Sequence, residues 1–560
     1  MIVDRPPARE YKCDVCIVGS GPVGMALALE LESLGRNVVV LESGSTRVDP
    51  ETAEASRAVI VDSRRHAPME LAVCRVLGGT SWTWGGRCVA LDPLDFAARS
   101  HVPYSGWPIG QDSIEPWYAK AAEYLLCGGS NFCSRPRYLP SLGADVSVES
   151  LERWSIEPQL GLVHRRRIEC SERLALFLNS TVIDLDIKDG GSVVAGVVIA
   201  GPDRKSKIKA RDVILAAGGI ETTRLLLAVQ RHWPDLFGGL DGPLGRYYMG
   251  HISGKIASIV LDRPADIADL DFELDPTGAY VRRRFSLSSA AQQAHSLLNT
   301  AFFPDNAPFH DPRHRSSVLS AVFLALAVPP IGRCLVSDAI RIFHVGPKPR
   351  HVGAHVLNVL LGSPRGLRDL MKIVHGRYLA KPRRPAFLVR NGNGRYALHY
   401  HAEQEPNPDS RVVLTNEMDK FGLPRVVIDL RFTHRDACSV VDSHRVLDSA
   451  LRGNGIGRLE YWYPKEQLAD RVSAQASDGL HQVGTTRMGQ DPSYSIVDAD
   501  LKVHGFANLF VASSSVFPTT GQANSTFPAV ALAIRLAHHL TVEAGDVENK
   551  KGQTVDHASY

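Results

Sequence analysis

The chain has 560 residues, 44% hydrophobic and 22% charged, the balance of a soluble globular protein of several domains. Its 63 Lys and Arg against 60 Asp and Glu leave a net charge of only +3, which gives no global footprint for nucleic acid and excludes collagen-like, coiled-coil and disordered classes. Nine cysteines, odd in number and irregular in spacing, supply neither a disulfide framework nor a zinc or iron–sulfur ligand set, so no metal is expected.

In chain order, the polar stretch Met1–Tyr11 reads as no secretory signal, and a cytoplasmic location is the expectation. Residues 13–18 (CDVCIV) predict a short buried strand; three-residue spacing on a strand sends the thiols of Cys13 and Cys16 to opposite faces, which argues against a redox pair. Gly19-Ser20-Gly21-Pro22-Val23-Gly24 follows, then a helix over Met25–Leu34 stopped by Gly35, then a second buried strand, Val38–Leu41, ending at Glu42. This is a βαβ unit with the dinucleotide fingerprint. Gly19 permits the tight turn, Gly21 lets a pyrophosphate approach the backbone, and Gly24 lets the helix pack closely on the strand. The helix N-terminus faces the phosphates, and Glu42 is placed to accept hydrogen bonds from ribose hydroxyls.

Further along, Val182–Ile187 and Val193–Ile199 flank Asp189-Gly190-Gly191 and predict a hairpin or meander. Val213–Ala217 predicts another buried strand, running through Gly218-Gly219 into a helix at Glu221–Val229. The apolar stretch Val318–Val328, stopped by Pro329-Pro330, is too short to span a bilayer and predicts a buried segment. Residues 338–384 hold ten Lys/Arg and two Asp among apolar residues such as Val356, Leu357 and Leu361. A lid, a partner surface or a weak membrane-surface patch are open readings of that segment, with a solvated helical insertion preferred. Strands are predicted near 397–404, 411–414 and 425–431, a final helix over 528–540, and a polar, frayed tail after it. Gly453, Gly455 and Gly457 lack a flanking strand and helix and read as a turn, so one dinucleotide site is visible, for NAD or FAD.

Three segments resemble the glucose–methanol–choline (GMC) oxidoreductases, and in particular their pyranose-oxidase-like branch. Gly78-Gly79-Thr80-Ser81-Trp82-Thr83-Trp84-Gly85-Gly86 is similar to the family's flavin-contacting loop, and residues 213–221 (VILAAGGIE) to the strand returning to the FAD domain. The C-terminal block carries the most: His481-Gln482-Val483-Gly484-Thr485-Thr486-Arg487-Met488-Gly489, Val497-Asp498, Asn508-Leu509-Phe510-Val511, Ser515-Val516-Phe517-Pro518-Thr519 and Asn524-Ser525-Thr526. The resemblance implies an α/β fold: a discontinuous Rossmann-type FAD-binding domain (1–254 and 471–545), an inserted substrate-binding domain (255–470) containing a mixed β-sheet, and a polar tail (546–560).

It implies FAD contacts at Gly19, Gly21, Pro22, Gly24, Glu42, Ser43, Arg75, Gly79, Thr80, Ser81, Trp84, Gly85, Gly86, Val182, Ala216, Ala217, Gly218, Ser514, Ser515 and Thr526. It also implies oxidation of an alcohol by hydride transfer to flavin N5, with His481 as base and Asn524 as hydrogen-bond donor to the alkoxide; neutral imidazole and amide suit those roles. Thr83 stands where fungal pyranose oxidases attach FAD through a histidine, and Ser525 where a proline is usual, so non-covalent FAD is expected. The segment His399–Glu405, read as a strand, puts alternating polar residues on one face; with the resemblance it offers His401, Glu403 and Gln404, together with Arg431, to a hydroxyl-rich substrate.

The expected activity is oxidation of a secondary hydroxyl of a sugar, glycoside or related polyol. O2, a quinone or a redox partner are open as acceptors, and the oligomeric state is open too. The rivals are a lyase keeping FAD without net redox, a dehydrogenase of a non-sugar alcohol, and a flavin-holding binding protein.

Overall fold

The strand Tyr11–Val18 is exposed where it begins and buried where it ends, as the centre of a sheet covered on both faces requires. It lies between Val38–Leu41 and Lys205–Leu215, parallel to both. Leu174–Phe177 and then Ile2–Val3 extend the sheet beyond Val38–Leu41, and Leu509–Val511, from near the end of the chain, joins Lys205–Leu215. The first half of Lys205–Leu215 instead pairs antiparallel with Val194–Ala200, which pairs with Thr181–Ile187, the expected hairpin. A computed structural model describes residues 1–7, 10–188, 190–200, 205–335, 341, 345 and 349–556, so Asp189 of that hairpin's turn lies outside the described residues.

Pro22 opens the first helix, Pro22–Ser33, and Gly35, at φ +86°, follows its end. The helix is apolar nearly all round because the sheet covers one side and the last helix, Thr526–Asp556, packs on the other. Gly24 sits at the closest approach: a Cβ there would lie 2.1 Å from the carbonyl oxygen of Gly19. The last helix thus starts two residues before the expected 528 and continues through Asp556, into the tail expected to fray; residues 557–560 lie outside the described residues. Cys13 and Cys16 are free thiols, the second fully buried.

The second region is built on a six-stranded sheet in the order Gly457–Tyr461, His251–Leu261, Arg395–Glu403, Thr300–Asp305, Phe285–Leu287, Val146–Ser147, with every pair antiparallel. The mixed pairing expected there is found in a three-stranded sheet, Arg411–Met418, Pro424–Asp429 and Ala58–Ile60, whose last pair is parallel. The boundary expected at 254/255 falls inside the strand His251–Leu261, and Ala58–Ile60 and Val146–Ser147 come from well before it.

Between the paired strands Thr300–Asp305 and Arg395–Glu403 the chain leaves the sheet into the helices Ser317–Ala327, Pro329–Leu335 and Val352–Val374. The apolar stretch from Val318 is the first of these helices, with Val318, Leu319, Phe323 and Leu326 buried. Gly362 and Gly366 let the long helix lie against it, since a Cβ at Gly362 would meet the Ser317 Cβ at 2.8 Å. Parts of the basic segment (338–340, 342–344 and 346–348) lie outside the described residues. Among the described residues no helix is long and apolar enough to cross a membrane.

Candidate active site

A cleft enclosing about 1250 Å³, its mouth included, runs across the C-terminal ends of the parallel strands, where open α/β sheets bind ligands. Gly19 (φ +105°) turns the chain tightly against the Ala216 carbonyl, which a Cβ would approach to 2.6 Å. At Gly21, among the described residues, no atom lies within 4 Å of where a Cβ would sit, so bare backbone at a helix N-terminus faces the cleft. That is the cradle a pyrophosphate needs. Glu42 is buried in the wall, accepting from Ser20 N (3.1 Å), Ser20 Oγ (2.6 Å) and Gly44 N (2.8 Å). Burial pushes its carboxyl up, against the lowering effect of those donors. Arg75 reaches Ser43 Oγ (2.5 Å) and Glu221 (2.7 Å), and Ser43 Oγ shares a hydrogen bond of 2.6 Å with Thr181.

Of the residues expected at FAD, Gly19, Gly21, Pro22, Glu42, Ser43, Arg75 and Gly79 line this cleft, as do Thr80, Val182, Ala216, Ala217, Gly218, Ser514 and Thr526. The others are not among the lining residues. Gly24 serves the helix–strand contact, Ser81 Oγ donates to the Gly78 carbonyl (2.6 Å), and Trp84 Nε1 donates to the Pro158 carbonyl (2.7 Å). Gly85 is exposed, the Gly86 carbonyl accepts from Ser155 N (2.8 Å), and the Ser515 hydroxyl is held by Ser513 and Thr486 (both 2.6 Å). Thr181, Glu221, Leu480 and Gln482 line the cleft without having been singled out; Glu221 and Gln482 stand inside the motifs that pointed to it. Gln482 accepts from Ile220 N and donates to the Ala72 carbonyl, both at 2.9 Å, tying three cleft segments together.

The cleft is also lined by Leu480, Gln482, Ser525 and Thr526, the chain neighbours of His481 and Asn524. Those two side chains meet: Asn524 Nδ2 donates to His481 Nε2 at 2.8 Å. On the other side of the ring, His481 Nδ1 donates to Asp478 Oδ2 at 2.8 Å, which fixes the proton on Nδ1 and the lone pair on Nε2. Asp478 also accepts from the backbone N–H groups of His251, Leu480 and His481. Burial pushes its carboxyl up, but the imidazoles of His481 and His251 outweigh this and hold it well below the ordinary carboxylate range. Sequence reasoning missed Asp478, an acid in a loop with no signature of its own. His251, Asp478 and His481 also bring metal-ligand-type atoms within 4.8 Å of one another, but both Asp478 oxygens are already engaged in four hydrogen bonds.

Two further imidazoles pack here. His251 stacks on His401 (ring centroids 4.4 Å) and meets His481 edge-on (4.6 Å), while Ser253 Oγ contacts His401 Nδ1 at 2.6 Å. Burial pushes the pKa of both His251 and His401 down, so both are neutral near pH 7. Among the described residues, His251 Nε2, His401 Nε2 and Asn524 Oδ1 are buried without a hydrogen-bond partner. With His251 Nδ1, also without a hydrogen-bond partner, four polar atoms on or beside the His481–Asn524 pair have unmet capacity.

The other residues expected to hold substrate are engaged elsewhere. Both oxygens of Glu403 are taken by Arg99 (2.6 and 2.7 Å), and Asn299 N adds a third bond. Gln404 accepts from Gly250 N (2.8 Å) and donates to the Arg431 carbonyl (2.7 Å). The Arg431 guanidinium is exposed and turns to Asp429, beyond the end of the strand Pro424–Asp429. The alternation of the strand is real, but it places these groups in a buried seam rather than on a free polar face.

A family model described as GMC oxidoreductase matches residues 406–533, and one described as FAD binding domain matches residues 12–71. Paromamine 6'-oxidase of Streptomyces fradiae is 24% identical over 558 aligned residues, covering 96% of this chain and 92% of that protein. C-glycoside 3-oxidase of Arthrobacter globiformis is 35% identical over 143 residues, 24% of this chain and 25% of that one. Formate oxidase of Aspergillus oryzae RIB40 shares the fold, with a TM-score of 0.52 at 14% identity, covering 96% of this chain and 100% of that structure. One family match spans the βαβ unit and the other spans the His481–Asn524 pair, and the cleft joins them: the chain is similar to the GMC oxidoreductases in both regions and is an FAD-dependent oxidoreductase acting on CH–OH groups.

Proposed function

We propose that the protein oxidises a secondary hydroxyl of a sugar, glycoside or related polyol to a ketone. The carrying observation is that one cleft is lined both by the Gly21 cradle and by the chain neighbours of His481 and Asn524. FAD, when bound there, supplies the two-electron hydride acceptor. The residues of the chain handle the proton and the oxygen. His481 Nε2, its lone pair set by the Nδ1–H···Asp478 bond, takes the hydroxyl proton, and the Asp478 carboxylate then faces the imidazolium. The substrate oxygen takes the place between His481 and Asn524 that their mutual hydrogen bond now spans, and the Asn524 amide donates to it as it becomes an alkoxide.

His251 and His401, neutral and with free ring nitrogens, suit neighbouring hydroxyls, which both donate and accept. Names of the relatives support the sugar class but not the choice of hydroxyl: paromamine 6'-oxidase and C-glycoside 3-oxidase are named for sugar-derived substrates and for different positions. Thr83 is exposed, donates to the Thr80 carbonyl and is not among the residues lining the cleft, which supports non-covalent FAD.

Anaerobic mixing with a panel of monosaccharides, glycosides, polyols and simple alcohols tests the reading. Bleaching of the flavin by members of the first three groups is expected, with a ketone as product and with O2 and quinone compared as reoxidants. Bleaching by simple alcohols alone would reject the substrate class, and an oxidised spectrum retained throughout would reject the alcohol oxidation. Acid or heat should release the yellow colour into solution; colour kept by the precipitate would reject non-covalent binding.

A further inference from the structure

The helix Val352–Val374 packs one face on Ser317–Ala327, through His355, Gly362, Gly366 and Ile373, yet its opposite side is also apolar. Val356, Leu367, Met371, Val374 and, one turn on, Tyr378 recur at intervals of four, three or eleven residues. That spacing places them in one line along a rod of about 35 Å. Leu367 is 61% exposed, Met371 58% and Tyr378 67%. Leaving such a row in water is costly, at roughly 25 cal/mol for each Å² of apolar surface. Exposed cations flank it, at Arg350, Arg368, Lys372, Lys381 and Arg383, against the single acid Asp369 in residues 349–384.

We propose that this helix docks the enzyme on an anionic phospholipid surface, lying in the interface with its apolar ridge among the acyl chains and its cations on the headgroups. Three features favour a bilayer over a protein partner or a second copy. The surface is a convex ridge of aliphatic side chains, which a fluid interface can accept and a groove must be shaped to fit. Its flanking charges are of one sign, so two copies placed ridge to ridge would repel, whereas anionic headgroups attract each. The helix also meets the pattern of a helix that lies on a membrane rather than through it, as no described helix is apolar and long enough to span. The insertion leaves the substrate sheet where Asp305 pairs with Ala397, while His401 pairs with Ala301 further along the same two strands, so docking leaves the catalytic end free.

Flotation of the FAD-loaded full-length enzyme tests this, with vesicles of phosphatidylcholine alone and of phosphatidylcholine mixed with phosphatidylglycerol. Binding is expected to the mixed vesicles, to fall as salt rises, and to weaken by at least about tenfold in Leu367→Glu/Met371→Glu. That variant should keep its FAD content and its rate of flavin reduction, which shows that it folds. Arg368→Glu/Lys372→Glu should weaken binding to the mixed vesicles and lose the salt dependence. Absence of binding by the wild-type enzyme, or binding that Leu367→Glu/Met371→Glu leaves unchanged, overturns the proposal. So does a wild-type dimer in light scattering that Leu367→Glu/Met371→Glu turns into monomers, because a second copy would then be the occupant.

Discussion

His481 and Asn524 form one unit, joined at 2.8 Å, and in the proposed reaction both act on the same substrate oxygen. His481→Ala should keep FAD bound yet slow flavin reduction about 10²- to 10⁴-fold. Asn524→Ala should slow it about 10²- to 10³-fold. The double variant should lose less than the product of the two, since a donor to the alkoxide has little to act on once the base is gone. Stopped-flow reduction under anaerobic conditions reads all three. Asp478→Asn keeps the shape of the side chain but removes the charge facing the imidazolium. It should slow reduction about 10²-fold or more while FAD content stays near wild type, and a wild-type reduction rate would remove Asp478 from this role. At this scale the sequence was legible where a residue sits in a motif, as His481 and Asn524 do. Asp478 was not legible, because nothing local separates a buried loop acid that orients an imidazole from an ordinary turn residue. Glu403 misled for the opposite reason: a polar residue on a buried strand looks the same in sequence whether it meets a sugar or Arg99.

At the scale of the element, the βαβ unit was readable to within three residues at each boundary, since its strands, glycines and helix are consecutive and each has a local cause. The tight packing at Gly24 makes a sharp expectation. Gly24→Ala puts a methyl 2.1 Å from the Gly19 carbonyl oxygen, so the helix must move off the strand it packs on. The cost should be about 1–3 kcal/mol or more, read as a lower thermal midpoint, with a reduced FAD-to-protein ratio in the same preparation. The six-stranded sheet was far less readable. Its strands come from 146 to 461, two of them only two or three residues long, and their pairing is set by long-range contacts rather than by any repeating local pattern.

At the scale of the molecule, Arg99 and Glu403 stand at the seam between the two regions. Arg99 follows the short helix Pro93–Phe96, and Glu403 ends a central strand of the substrate sheet. Their side chains are almost fully buried, and burial, which alone would push the Glu403 carboxyl up, is outweighed by Arg99, which holds it down. Glu403→Gln leaves the guanidinium buried without its counter-charge and should cost about 3–5 kcal/mol, measured by denaturant unfolding of the FAD-loaded protein. Replacing both residues by methionine should recover part of that loss, which would separate the penalty of an orphaned charge from the value of the pair. The helical insertion sits differently. Because Asp305 faces Ala397 across an antiparallel pair, everything between them is, to the sheet, one very long hairpin loop. A hairpin loop can be exchanged for a tight turn without rethreading any strand, and its length weighs only logarithmically on the chain. Cofactor chemistry and surface attachment are thereby separable cassettes, one removable while the other keeps its register.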